Sequence, residues 1–179
     1  MPRSVVCVDP GHGGHDPGAV GFDGLKEADV ALDISLRVAD KLRLFEIEPV
    51  LSRTDDTYIS LGRRASEANV IDADLFVCIH CNSFHDRQAN GAEVLVYSRA
   101  SKALPFAEGI LERLVELGLR NRGVKERPKL TVLNRTAMPA VLVETAFISC
   151  DGGVDYQLLR SQDGRDKIAD AITRGVLGA

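Results

Sequence analysis

Short apolar runs that stop at polar residues recur along the chain, and stretches with helical spacing separate them. Val5 to Val8 is the first run, β-branched or compact throughout, which suits a strand buried on both faces. Pro10 and Gly11 stop it, and Gly13 and Gly14 permit a tight turn. Further strands are predicted at 48–52, 74–80, 92–97, 129–133 and 140–144. Val30, Ile34, Val38, Leu42 and Phe45 recur at helical spacing, with Glu27 at or just before the first turn. Leu61, Ala65 and Ala68 mark a short helix that ends near Asn69. Phe106, Ile110, Leu114 and Leu117 line an amphipathic helix, and Ile168, Ile172 and Val176 a closing one. Residues 16–24 are rich in breakers and 83–90 are polar without periodicity, so both read as loops. This alternation predicts an α/β fold: one domain over residues 1–179, with a twisted, mostly parallel sheet of about six strands and helices on both faces.

Composition narrows the partners. The 179 residues suffice for one domain with a sizeable core, and a net charge of −4 offers no general basic field for nucleic acid. The local basic run Arg120, Arg122, Lys125, Arg127 and Lys129 reads as a solvated loop. No apolar run reaches the ~20 residues that cross a bilayer, so no membrane partner is expected. Met1-Pro2-Arg3-Ser4 enters the first strand at once, without the apolar core of a signal peptide. The expectation is a chain kept in a cytosol, released by a separate route or cut from a longer precursor, and a monomer. Cys7 and Cys78 fall within strands, where a free thiol acts as a small hydrophobe. Cys78 and Cys81 have CxxC spacing, but with no second pair and no helix start they suggest neither a zinc knuckle nor a redox pair.

Three strands deliver chemistry at their carboxyl ends, where α/β sheets place their sites. His12 follows the first, His80 ends the third and Glu144 ends the last. A catalytic zinc takes three nitrogen or carboxylate ligands and keeps a fourth position for water. The histidines supply two imidazoles, and the carboxylate is Glu27 or Glu144; spacing leaves open which is ligand and which is base. The apolar approach to Glu144 predicts a raised pKa suited to proton transfer. Blander readings stand beside these. His12 alone is a turn residue, Glu27 alone a first-turn glutamate, and Glu144 a buried partner for Arg53 or Arg63. Asp9 braces a turn or bonds an imidazole, His15 and His85 are solvated, and Asn82 serves a turn or touches substrate. A phosphate loop is set aside because Asp16 holds the third glycine's place of GxGxxG, and no GxSxG elbow is present.

Val8-Asp9-Pro10-Gly11-His12-Gly13-Gly14, with Asp16-Pro17-Gly18-Ala19, resembles the opening of zinc-dependent N-acetylmuramoyl-L-alanine amidases of the amidase-3 type. The likeness continues through 24–27, 52–56, 79–83, 91–94 and 138–144, in the family's order and over nearly the whole chain. It implies zinc (Zn2+) held by His12, Glu27 and His80, and Glu144 as the catalytic carboxylate. The implied substrate is peptidoglycan, cut between the lactyl group of N-acetylmuramic acid and the L-alanine of the stem peptide, as in a phage lysin or an excised catalytic domain. Cys78 and Cys81 replace the usual serine and alanine, Ala146 a glycine and Cys150 an asparagine. Cys81 beside His80 leaves a thiolate ligand open, and the short 98–103 loop suggests a groove free of a blocking helix. A zinc peptidase of other specificity and a silent wall-binding module are the alternatives.

Overall fold

The computed structural model describes residues 4–178; the reading of Met1 to Arg3 as a lead-in lies outside the described residues. In chain order the elements are β1 (Val5–Pro10), α1 (Glu27–Arg43), β2 (Glu48–Leu51), α2 (Leu61–Val70), β3 (Leu75–Asn82) and β4 (Ala92–Val96). They continue with α3 (Leu104–Glu116), β5 (Asn121–Glu126), α4 (Thr131–Asn134), β6 (Ala140–Phe147), α5 (Gly153–Arg160) and α6 (Gln162–Leu177). The sheet order is β2-β1-β3-β6-β4-β5, and only the β4–β6 pair is antiparallel among the described strands. This is the expected single α/β domain.

Alternation along the strands divides the core. Val6, Val8, Val77, Ile79, Val94 and Val143 face a large cluster with α1, α3 and α6, whose apolar stripes supply Ile34, Leu42, Ile110, Leu114, Ile168 and Ile172. Cys7, Phe76, Cys78, Leu95 and Leu142 face the other way, into a smaller cluster with Ala68 of α2 and Val132 and Leu133 of α4. The second face is therefore only partly covered. Cys78 and Cys81 belong to opposite clusters, so their thiols lie on opposite faces of the sheet.

Two expectations are corrected. Residues 129–133 do not form a strand; a turn leads into α4 there. Val132 and Leu133 are consecutive yet join the same cluster, which a helical turn permits and a strand's alternation does not. The basic run is a loop only in part: Arg122 and Lys125 lie in the edge strand β5 (Asn121–Glu126), parallel to β4, while Arg120, Arg127 and Lys129 lie outside it. An edge strand has one paired side and tolerates polar residues that a central strand excludes. Helix α5 had no counterpart in the sequence reading. Strands β3 and β6 also run past His80 and Glu144, to Asn82 and Phe147, so both residues sit inside strands near the carboxyl ends.

Candidate metal centre

The turn after β1 is held by two buried arginines. His12 adopts φ 59°, a left-handed conformation uncommon outside glycine. Arg64 donates to the carbonyls of Pro10 (2.6 Å) and His12 (2.6 Å) and to Asp9 Oδ1 (2.7 Å). Arg53 donates to the carbonyls of Pro10 (3.1 Å), Gly11 (2.7 Å) and Ala28 (2.9 Å), tying the turn to the start of α1. Asp9 also accepts from Ser52 Oγ and Cys78 Sγ. Asp9 thus braces the turn through Arg64, and the imidazole partner considered for it is a different aspartate. The structural part of Arg53 and Arg64 was missed from sequence; an arginine in a post-strand loop or on a short helix carries no signal of it.

His12 Nδ1 donates to Asp16 Oδ2 at 2.8 Å, and its Nε2 lies 3.1 Å from Glu27 Oε1. His80 Nδ1 lies 2.9 Å from the same oxygen. Glu27, the first residue of α1, is buried and accepts from the amides of Ala19 (2.9 Å) and Cys81 (3.0 Å), so its carboxylate is fixed by both the loop and the sheet. The two imidazoles meet nearly edge to face, with centroids 4.8 Å apart. Glycines make the room: a Cβ at Gly11 would lie 2.4 Å from the His80 ring, and one at Gly18 would lie 2.6 Å from His12 Cδ2 and 2.7 Å from Glu27 Oε2.

These contacts set the charges. Burial opposes protonation of His12, but the Glu27 and Asp16 carboxylates outweigh it and raise its pKa to about 9. Burial alone would raise Glu27, yet hydrogen bonds and charge from His12 and His80 hold it far below the usual carboxylate range.

Glu144 stands beside His80 in the β3–β6 register, on the same face of the sheet. Its Oε2 is buried and has no hydrogen-bond partner. Burial, aided by Glu27 and Glu93 and opposed by His80 and His12, pushes its pKa up to about 7. The arginines considered for it are engaged elsewhere: Arg53 on backbone carbonyls, Arg63 on Glu67 at 2.6 Å. Asn82 accepts from the Ser83 amide (2.9 Å) and lines a cavity of about 310 Å³ next to the site. His15 and His85 are exposed and lie against Tyr58 and Phe84. Cys81 points into the large core cluster, with its thiol 3.6 Å from Thr145 and its pKa raised by burial, so it offers no thiolate.

His12, Glu27 and His80 present ligand atoms within 4.8 Å of one another. The 2.9 and 3.1 Å separations approach the edge, about 3.3 Å, of a tetrahedron with zinc bonds near 2 Å. A carboxylate on the far nitrogen of His12 is the usual outer support of a ligating imidazole. The donor set fits a divalent metal of zinc type.

Comparison with known proteins bears on the family and the fold. Residues 6–177 match the family described as N-acetylmuramoyl-L-alanine amidase. The chain is 41% identical over 176 residues to N-acetylmuramoyl-L-alanine amidase LytC of Bacillus subtilis, covering 97% of this chain and 35% of LytC. It is 33% identical over 180 residues to the endolysin of Bacillus phage SPP1, covering 96% of this chain and 64% of that protein. Among solved structures, N-acetylmuramoyl-L-alanine amidase AmiC2 of Nostoc punctiforme superposes with a TM-score of 0.91 at 35% identity, covering 98% and 96% of the two chains. The chain thus spans about a third of LytC and nearly all of the AmiC2 structure.

Proposed function

The chain belongs to the N-acetylmuramoyl-L-alanine amidase family, and on that premise we propose that it is a zinc-dependent hydrolase of peptidoglycan. The bond cut is the amide between the muramic lactyl group and the L-alanine of the stem peptide. One observation carries the reading: two imidazoles and a carboxylate converge at one point, and a partnerless buried carboxylate stands in the neighbouring register.

His12, Glu27 and His80 would hold the metal. Bound there, zinc would polarise the scissile carbonyl and lower the pKa of a water to about 7. Asp16 keeps His12 oriented with Nε2 toward the site. Glu144 Oε2 takes the proton of the attacking water and passes it to the nitrogen of the departing L-alanine. A pKa near 7 suits both halves of that transfer. Asn82, two residues beyond His80, contributes a substrate contact. All four groups come from one copy, so a monomer suffices for the chemistry, and residues 1–179 act as the catalytic unit. The place of action is the cell wall, reached by release during lysis or by export.

Replacing Glu144 by alanine tests the division of roles. Zinc content should stay at one per chain while hydrolysis of purified sacculi falls by orders of magnitude. Undiminished turnover would reject Glu144 as the proton carrier. In His80→Ala the metal content should drop first; unchanged stoichiometry would reject His80 as a ligand. A silent wall-binding module would retain sacculi and release nothing.

A further inference from the structure

The sheet face that carries His80 and Glu144 continues as a polar row. Glu144 pairs with His80 on one side and with Glu93 of β4 on the other, so the three lie side by side across adjacent strands. Beyond Glu93, Arg122 Nε (3.2 Å) and Lys125 Nζ of β5 converge on one carboxylate oxygen, Glu93 Oε2. The Arg122 guanidinium is further fixed by the Asn90 carbonyl (3.3 Å) and by the Phe147 ring, 4.8 Å below it. The small cluster with α2 and α4 packs against Cys7, Cys78, Leu95 and Leu142, and leaves this part of the face open. The cavity of about 310 Å³ noted beside Asn82 opens here. Both cations remain reachable, with side chains 30% and 33% exposed.

Two positive groups share one negative oxygen, so the pair holds a surplus charge toward the cavity. Asp86 is the other anion among the lining residues, with one oxygen occupied by the Gln88 amide at 2.9 Å. Strands lie about 4.8 Å apart, so β5 is roughly 10 Å from the Glu144 position. An extended peptide covers about 3.5 Å per residue, which brings its second or third residue to the cation pair.

We infer that this cavity is a carboxylate subsite for the stem peptide, in which Arg122 and Lys125 receive the free α-carboxylate of the residue after L-alanine. The inference rests on the amidase reading above and adds a direction to it: the peptide runs from Glu144 toward β5. Amidation of that carboxylate removes the charge that the pair recognises. Lysine and guanidinium contacts to a carboxylate in a half-exposed cavity should discriminate by about tenfold.

The test uses two muropeptides identical except for a free or amidated α-carboxylate on the second stem residue. The zinc-loaded chain should favour the free acid about tenfold in kcat/KM, chiefly through KM. Arg122→Gln and Lys125→Met should each bring the ratio close to one. Because the ratio is taken within one sample, loss of folded protein in a variant cancels. Equal turnover of both substrates by the parent chain, or a preference that survives both substitutions, overturns the subsite alone. Hydrolysis of neither substrate defeats the amidase reading and the subsite with it.

Discussion

Glu144→Gln should gain stability relative to the parent, in the metal-free chain, as pH rises. The carboxyl ionises at 4.5 in the unfolded chain and at about 7 in the fold. At about 1.4 kcal/mol per pH unit, this amounts to about 3 kcal/mol against the native state once the group is ionised in both. The residue keeps a solvated edge, which reduces the figure to about 2 kcal/mol. A raised carboxylate pKa carries no penalty below the unfolded value. The penalty grows from pH 4.5 to about 7 and stays constant above. Glutamine removes the ionisation and adds a fixed cost for its own buried amide, so the slope with pH is diagnostic and the offset is not. Urea unfolding of parent and variant, with metal removed by chelator, gives the difference at pH 5, 6, 7 and 8. The variant's relative stability should climb by about 1.5 kcal/mol across that range, most of it below pH 7. A pH-independent difference, or one that falls as pH rises, would refute the account of Glu144 as a desolvated, partnerless acid.

Zinc binding should release close to one proton at pH 7, because His12, with a pKa of about 9 in the metal-free chain, must lose one to ligate. Affinity should fall about tenfold per unit as pH drops below 9; calorimetry in buffers of different ionisation enthalpy reads the proton directly, and its absence would contradict the imidazole–carboxylate contacts. Arg64→Met should cost about 3–5 kcal/mol in urea unfolding, since it leaves Asp9 buried without its cation, takes the guanidinium from the His12 carbonyl and leaves the Pro10 carbonyl to Arg53 alone. A loss under about 1 kcal/mol would show that the turn does not depend on the buried guanidinium.

How far the molecule was legible from its sequence varies by element. The runs 5–8, 75–79 and 141–143 lie in the sheet's interior and, apart from half-buried Val5, are buried, so they read as unbroken apolar strands. β5 was hidden because an edge strand needs no apolar run, and its charges answer to Glu93 on another strand. The β-branched Thr131-Val132 imitated a strand where tertiary packing imposes a helical turn. The histidines and glutamates of the site were visible as strand-end and turn residues. Spacing left their roles open, because only the fold shows that Glu27 reaches both imidazoles while Glu144 Oε2 has no partner. Arg53 and Arg64 bind backbone carbonyls, a type of contact that side-chain patterns do not encode.

The central claim is hydrolysis of one particular amide by a metal held at His12, Glu27 and His80. Its most direct test is mass spectrometry of purified sacculi digested by the zinc-loaded chain, with and without a chelator. The account predicts intact stem peptides with a free L-alanine amine and glycan with free lactyl carboxylates, lost on chelation and restored by zinc. Cuts within the stem or between sugars, or release that survives removal of the metal, would contradict it.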